Sequence, residues 1–263
     1  MRATYGEPMT GSVDPFASFR LDGQVAVLTG ASSGLGARFA RVLDGLGATV
    51  VLAARRTERI ELLAKELQRG DAMTCDVAEA GASAALVDAA VERHGRIDIA
   101  IANAGITDVT PALREASFAR VVNVDLVAPF ELAQAAARHM RAQHHGGAIV
   151  NIASASGVGS SPLLPQASYV AAKAGLIGLT RELAMQWARY GIRVNALCPG
   201  MFPSEMTTEV TDSDEVRPKF EQEIPLHRIG REGELDAALA FLASPASSYM
   251  TGQTLVIDGG VTL

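Results

Sequence analysis

The stretch that most restricts the fold is a short apolar run at 24–28, followed by Thr29-Gly-Ala-Ser-Ser-Gly34-Leu-Gly36 and then by apolar residues at Leu35, Phe39, Val42, Leu43 and Leu46. The continuous apolar run reads as a strand buried on both faces, and the later recurrence every three to four residues reads as an amphipathic helix. The glycines between them form the turn. Gly47 ends the helix, and Thr49-Val-Val-Leu-Ala53 begins a second strand, which completes a βαβ unit. Glycines let the backbone approach a ligand closely, and the start of the helix supplies unpaired N–H donors, so a turn in this strand–turn–helix setting suits the pyrophosphate of a dinucleotide.

The same rhythm continues along the chain. Helical patterns at 58–68 and 81–94 alternate with strands at 72–75 and 97–102, and two helical stretches follow at about 117–125 and 126–143. After Gly146-Gly147 come a strand at 148–152, a loop of small residues at 153–165, a long helix at 167–190 and a strand at 193–197. A polar segment punctuated by proline, 199–228, interrupts the pattern before a last helix at 234–243 and a last strand at 254–257. Strands separated by helices imply parallel pairing with right-handed crossovers. The expected fold is therefore α/β: a single-domain, doubly wound Rossmann fold whose central parallel sheet of about seven strands is flanked by helices. The expected boundaries are a loose N-terminal arm at 1–20 and one domain at 21–263, with 199–228 covering the substrate. Ligands of such sheets sit at the carboxyl ends of the strands.

Composition excludes several other roles. At 263 residues the chain has room for one large domain with a substantial core. A net charge of −6 argues against a nucleic-acid-binding surface. Cys75 and Cys198 each lie in an apolar run, which points to free thiols in a reducing compartment and to a cytoplasmic protein. His94, His139, His144, His145 and His227 form no metal-ligand spacing, so no metal is expected. No apolar run reaches the ~18 residues of a membrane span, and residues 1–20 lack the apolar core of a signal peptide.

In the long helix, Tyr169-Val-Ala-Ala-Lys173 sets a phenol and an ammonium four residues apart, on one helical face. A cation beside a phenol favours the phenolate, which makes the pair a candidate for proton transfer. On its own, a surface Tyr and Lys would read the same way. Together, however, Gly-x-x-x-Gly-x-Gly at Gly30, Gly34 and Gly36 and Tyr-x-x-x-Lys about 140 residues later resemble the short-chain dehydrogenase/reductase family, in a form similar to 3-oxoacyl-carrier-protein reductases. Further matches run from Leu21 to the C-terminus. Asp76-Val77 resembles the family's adenine contact, and Asn103-Ala104-Gly105 resembles its Asn-Asn-Ala-Gly signature with Ala102 in place of the first Asn. Asn123 resembles the helix asparagine of the proton relay, and Ser154 the catalytic serine. Pro199-Gly200 resembles the turn beside the nicotinamide, and Asp258-Gly-Gly260 the C-terminal signature.

The resemblance implies a reaction and a set of roles. The chain would interconvert a carbonyl and a secondary alcohol by hydride transfer, with Tyr169 as acid/base, Ser154 holding the substrate oxygen, Lys173 assisting Tyr169 and binding the nicotinamide ribose, and Asn123 anchoring a proton-relay water. Ser156, Ser160 and Ser161 share the loop with Ser154, which is chosen because it follows the strand by two residues; its spacing to Tyr169 is slightly longer than usual in the family. Cofactor contacts are expected from Gly30, Ser32, Ser33, Gly34, Leu35, Gly36, Arg55, Arg56, Asp76, Val77, Asn103, Ala104, Gly105, Tyr169, Lys173, Pro199, Gly200, Phe202 and Ser204. No carboxylate follows the second strand; Ala53-Ala54-Arg55-Arg56 offers two guanidiniums, which suit a 2′-phosphate. NADP(H) is therefore expected over NAD(H), with Arg55 as the phosphate contact and Arg56 stacked on adenine or solvated, although Ser33 stands where NADP-preferring members often carry a basic residue. Phe202, Met206, Phe220, Ile224 and Leu226, with Leu163 and Leu164 opposite, are candidates for the substrate pocket or equally for the core. A homo-oligomer, tetramer or dimer, is implied, packed through 126–143 and 167–190. The alternative is a catalytically silent dinucleotide-binding sensor or scaffold.

Overall fold

The computed structural model describes residues 14–161 and 163–263. Residues 1–13 of the expected arm, and Pro162 in the loop before the long helix, lie outside the described residues. The chain alternates β1 (Val25–Thr29), α1 (Gly34–Gly45), β2 (Thr49–Ala54), α2 (Thr57–Glu66), β3 (Gly70–Thr74), α3 (Ala82–His94) and β4 (Ile99–Ala102). It continues with α4 (Phe118–Val122), a π turn (Asn123–Val127), α5 (Ala128–Ala142), β5 (Gly147–Ile152), α6 (Ala167–Trp187) and β6 (Ile192–Pro199). The short helices α7 (Thr208–Thr211) and α8 (Arg217–Glu223) precede α9 (Asp236–Ala243) and β7 (Thr254–Ile257).

The seven strands form one parallel sheet in the order β3-β2-β1-β4-β5-β6-β7. Successive side chains of a strand point to opposite faces, and here both faces are covered. Ala26 and Leu28 of β1, with Ile99 and Ile101 of β4, pack under α1, α2 and α9, while Val25, Val27, Ala100 and Ala102 pack under α3, α5 and α6. That is why the strands read as continuous apolar runs rather than alternating ones. Leu21, fully buried with its N–H on the Leu46 carbonyl, begins the core. The strand order reverses between β1 and β4, which opens a crevice at the carboxyl ends of those strands.

Local structure departs from the expectation in two places. The two helices expected at 117–125 and 126–143 are one continuous helical rod interrupted by the π turn. Pro129, just after that turn, has no N–H to give the Asp125 carbonyl, and a widened turn accommodates the missing bond. The irregular segment 199–228 contains α7 and α8, which are too short to be legible from periodicity. Ala133, Ala136, Ala137 and Met140 of α5, which could have faced either another copy or the chain's own core, are buried in that core. Among the described residues, no helix is long and apolar enough to cross a membrane.

Candidate active site

A cavity of about 600 Å³ runs along the carboxyl ends of β1, β4, β5 and β6, from Arg55 and Arg56 at one end to Ser154, Tyr169 and Lys173 at the other. That volume lies within the ~300–1,000 Å³ of small-molecule and cofactor sites. The glycine turn forms its floor. Gly30 and Gly34 have φ of +69° and +51°, in the left-handed region that L side chains rarely adopt. Gly36 is helical, but a Cβ there would overlap the Gly30 carbonyl oxygen and approach the Asn103 amide nitrogen to 2.7 Å. The turn is tied to β4 by Asn103, whose Nδ2 donates to the carbonyls of Thr29 (2.9 Å) and Gly30 (3.2 Å), and by Thr29 Oγ1, which accepts from the N–H groups of Asn103 and Ala104 at 3.1 Å.

At the start of α1, Ser33 makes no side-chain cap bond, so the first N–H groups of the helix keep their capacity for an anion. This uncapped turn, the basic residues beside it and the cavity volume together fit a dinucleotide. Arg56 carries more of the basic character than Arg55. Its guanidinium donates to Ser32 Oγ (2.9 and 3.1 Å) and to Ser33 Oγ (2.7 Å). Arg55, at the bend after β2, lies 4.0 Å from Asp76 on the same cavity wall. Both arginines line the cavity. Glu205, from the segment after Gly200, joins this cluster. It accepts from Ser33 Oγ (2.8 Å), from Arg56 (3.2 Å) and from Arg59 (2.5 Å), and pairs with a second Arg56 nitrogen at 2.8 Å. Arg56, then Arg59 and Ser33, hold its carboxyl down to about 2.

At the other end, Ser154 stands just beyond β5, nearly buried, and its Oγ accepts from Ser156 N at 3.1 Å. Tyr169 occupies the first turn of α6, partly buried, with Lys173 one turn on. The Lys173 ammonium lies 5.4 Å from the Tyr169 ring centroid. It donates to the Ile152 carbonyl at 2.9 Å and pairs with Asp125 Oδ2 at 3.1 Å, in an alignment that makes an ion pair rather than a hydrogen bond. Asp125 is fully buried and its Oδ1 accepts from Ile106 N at 2.9 Å. Burial favours the neutral form of each partner, pushing the Asp125 carboxyl up and pulling the lysine down; with the pair formed, Asp125 and Tyr169 outweigh burial, and Lys173 is held above the ordinary lysine value. Behind them burial pushes the Cys198 thiol up to about 11, which leaves it an inert core group.

Asn123 is not brought to Lys173. Its Nδ2 donates to the Ala78 carbonyl at 2.9 Å, stitching the π turn to the loop after β3, and Asn123 does not line the cavity. Residues two apart on a helical turn face different ways, and Asp125 takes the place beside the lysine. Its signal in the sequence was a lone carboxylate in the apolar run Val124-Asp-Leu-Val127, since a buried carboxylate requires a partner. The remaining expected cofactor residues, including Ser32, Leu35, Asp76, Val77, Gly105, Pro199 and Ser204, border the cavity.

Two of the matched motifs support one another. Gly200 packs so closely on Asp258 that a Cβ would come within 2.6 Å of its Cα, while the Asp258 carboxylate accepts from the N–H groups of Gly260 (2.8 Å) and Thr262 (3.0 Å). Of the pocket candidates, Phe202 and Met206 reach the cavity; Phe220 and Ile224 are core, and Leu226 is exposed. Ile106, Thr107, Arg120 and Val124 complete the wall without having been foreseen.

A family model described as enoyl-(acyl carrier protein) reductase matches residues 30–262. The 3-oxoacyl-(acyl-carrier-protein) reductase FabG of Rickettsia bellii (strain RML369-C) is 39% identical over 246 residues, 92% of this chain and 98% of that one. The crystal structure of a short-chain type dehydrogenase/reductase from Mycobacterium marinum superposes with a TM-score of 0.90 at 37% identity, covering 95% of this chain and 99% of the other. A gluconate 5-dehydrogenase from Burkholderia cenocepacia J2315, solved in complex with NADP and tartrate, gives 0.89 at 36% identity over 95% and 99%. This chain belongs to the short-chain dehydrogenase/reductase family.

Proposed function

We propose that the chain is an NADP(H)-dependent oxidoreductase that interconverts a ketone and a secondary alcohol, with NAD(H) the weaker cofactor. The observation that carries this reading is one cavity with an uncapped glycine turn and basic residues at one end and Ser154, Tyr169 and Lys173 at the other. The nicotinamide, when bound, supplies or accepts the hydride. Ser154 Oγ donates to the substrate oxygen; a donor aimed at developing charge is worth roughly 2.7–4 kcal/mol. The Tyr169 hydroxyl delivers a proton to that oxygen in reduction and removes it in oxidation. Lys173 stabilises the phenolate and reaches the nicotinamide ribose, and it is held in place by Ile152 and Asp125. Asp125, rather than Asn123, is the residue of the π turn that stands beside Lys173.

The basic corner of Arg55, Arg56, Ser32 and Ser33, with no carboxylate at the end of β2, supports NADP(H). The gluconate 5-dehydrogenase that resembles this chain was solved with NADP. The cavity wall mixes Val124 and Met206 with Thr107 and Arg120, which suits a small substrate of mixed polarity, such as a 3-oxoacyl thioester or a polyol ketone. The enzyme domain spans 21–263. A homo-oligomer, tetramer or dimer, is supported by the almost fully exposed Met185, Tyr249 and Leu263. Two free buried cysteines accord with the cytoplasm.

The test is a panel of ketones and secondary alcohols assayed with both cofactors. Carbonyl-dependent oxidation of NADPH, faster than of NADH, is expected, and the double variant Ala54→Asp with Arg55→Ala should invert that order. Dinucleotide binding with no turnover on any substrate would instead identify a silent sensor.

A further inference from the structure

Glu205 belongs to the segment that follows Gly200, yet its carboxylate is held by other parts of the chain: Ser33 of the glycine turn, Arg56 at the head of α2 and Arg59 within it. Arg56 in turn holds Ser32 and Ser33. These hydroxyls and guanidiniums are the donors a ribose 2′-phosphate would need, because they combine positive charge with a helix N-terminus at the adenosine end of the cavity. One set of donors cannot serve two anions at full strength. The Glu205 side chain is 52% exposed, so its pairing is that of a surface ion pair and can be displaced.

We infer that Glu205 is an internal competitor of the 2′-phosphate: a 2′-phosphorylated dinucleotide must displace its carboxylate, whereas the unphosphorylated form leaves it in place. The inference rests on the dinucleotide reading above. Glu205 therefore narrows the NADP(H) preference that the two arginines create. The backbone around it need not move, because Thr207 Oγ1 holds the Phe202 carbonyl at 2.7 Å and accepts from Ser204 N at 2.9 Å without the Glu205 carboxylate.

The experiment is calorimetric titration of the full-length protein and of Glu205→Gln with 2′,5′-ADP and with 5′-AMP, with no turnover involved. The variant is expected to bind 2′,5′-ADP about tenfold more tightly, an ordinary size for coupling between sites, with 5′-AMP changing by less than about twofold. An unchanged or weaker affinity for 2′,5′-ADP in the variant overturns the inference. If wild type binds both ligands and only the predicted gain is missing, the dinucleotide reading survives. If wild type binds neither, both fall.

Discussion

A buried ammonium needs a counter-charge fixed in place, and for Lys173 that charge is Asp125, itself anchored on the Ile106 N–H. Asp125→Ala should cost about 3–5 kcal/mol in chemical denaturation, the usual effect of leaving one partner of a buried pair alone. Asp125→Asn keeps the shape and the Ile106 bond but removes the charge, and should cost nearly as much; a much smaller loss would mean that packing, not charge, is what Asp125 provides. Gly36→Ala sets a methyl against the Gly30 carbonyl and should lower stability by about 1–3 kcal/mol through overpacking, with weaker dinucleotide binding. An unperturbed melting temperature would contradict the close approach. Ser154, Tyr169, Lys173 and the glycines were legible because each occupies a fixed offset from a strand end or along a helix. Asp125 and Glu205 were not. Which of Asn123 and Asp125 faces the lysine depends on a widened turn, and Glu205 reaches the glycine turn only through tertiary packing; neither leaves a mark in spacing.

Among elements, the strands and long helices followed the sequence because burial on both faces and helical periodicity each leave a long pattern. The join between α4 and α5 and the short helices α7 and α8 did not, since their geometry is set by Pro129 and by tertiary contacts. The segment carrying Glu205 also gives a dependence on pH. Its carboxyl is held at about 2, against 4.5 for an ordinary glutamate, by Arg56, Arg59 and Ser33. A folded value below the unfolded one means that the stabilisation is complete above 4.5 and is lost as pH falls toward about 2. The difference in melting temperature between wild type and Glu205→Gln should therefore hold steady above about pH 5 and shrink below it. A difference constant through that window would show that Glu205 is not ionised against these donors.

At the scale of the molecule, one seven-stranded parallel sheet places the glycine turn, Ser154 and the Pro199-Gly200 turn on the same edge, and α6 brings Tyr169 and Lys173 to it. Sequence periodicity implies that convergence, because all strands of a parallel sheet end on one side. Assembly is less legible, since small apolar residues on a helix serve a core and an interface alike, and those of α5 serve the core. Light scattering should nonetheless give a multiple of the 27.5 kDa chain, and a single-chain mass at micromolar concentration would contradict an oligomer. In the proposed ketone–alcohol reaction Tyr169 transfers the proton. Tyr169→Phe, compared with wild type in NADPH-dependent ketone reduction, should lower kcat by ~10²–10⁴ while melting temperature and NADPH affinity stay close to wild type. A variant that keeps most of its turnover would contradict the account.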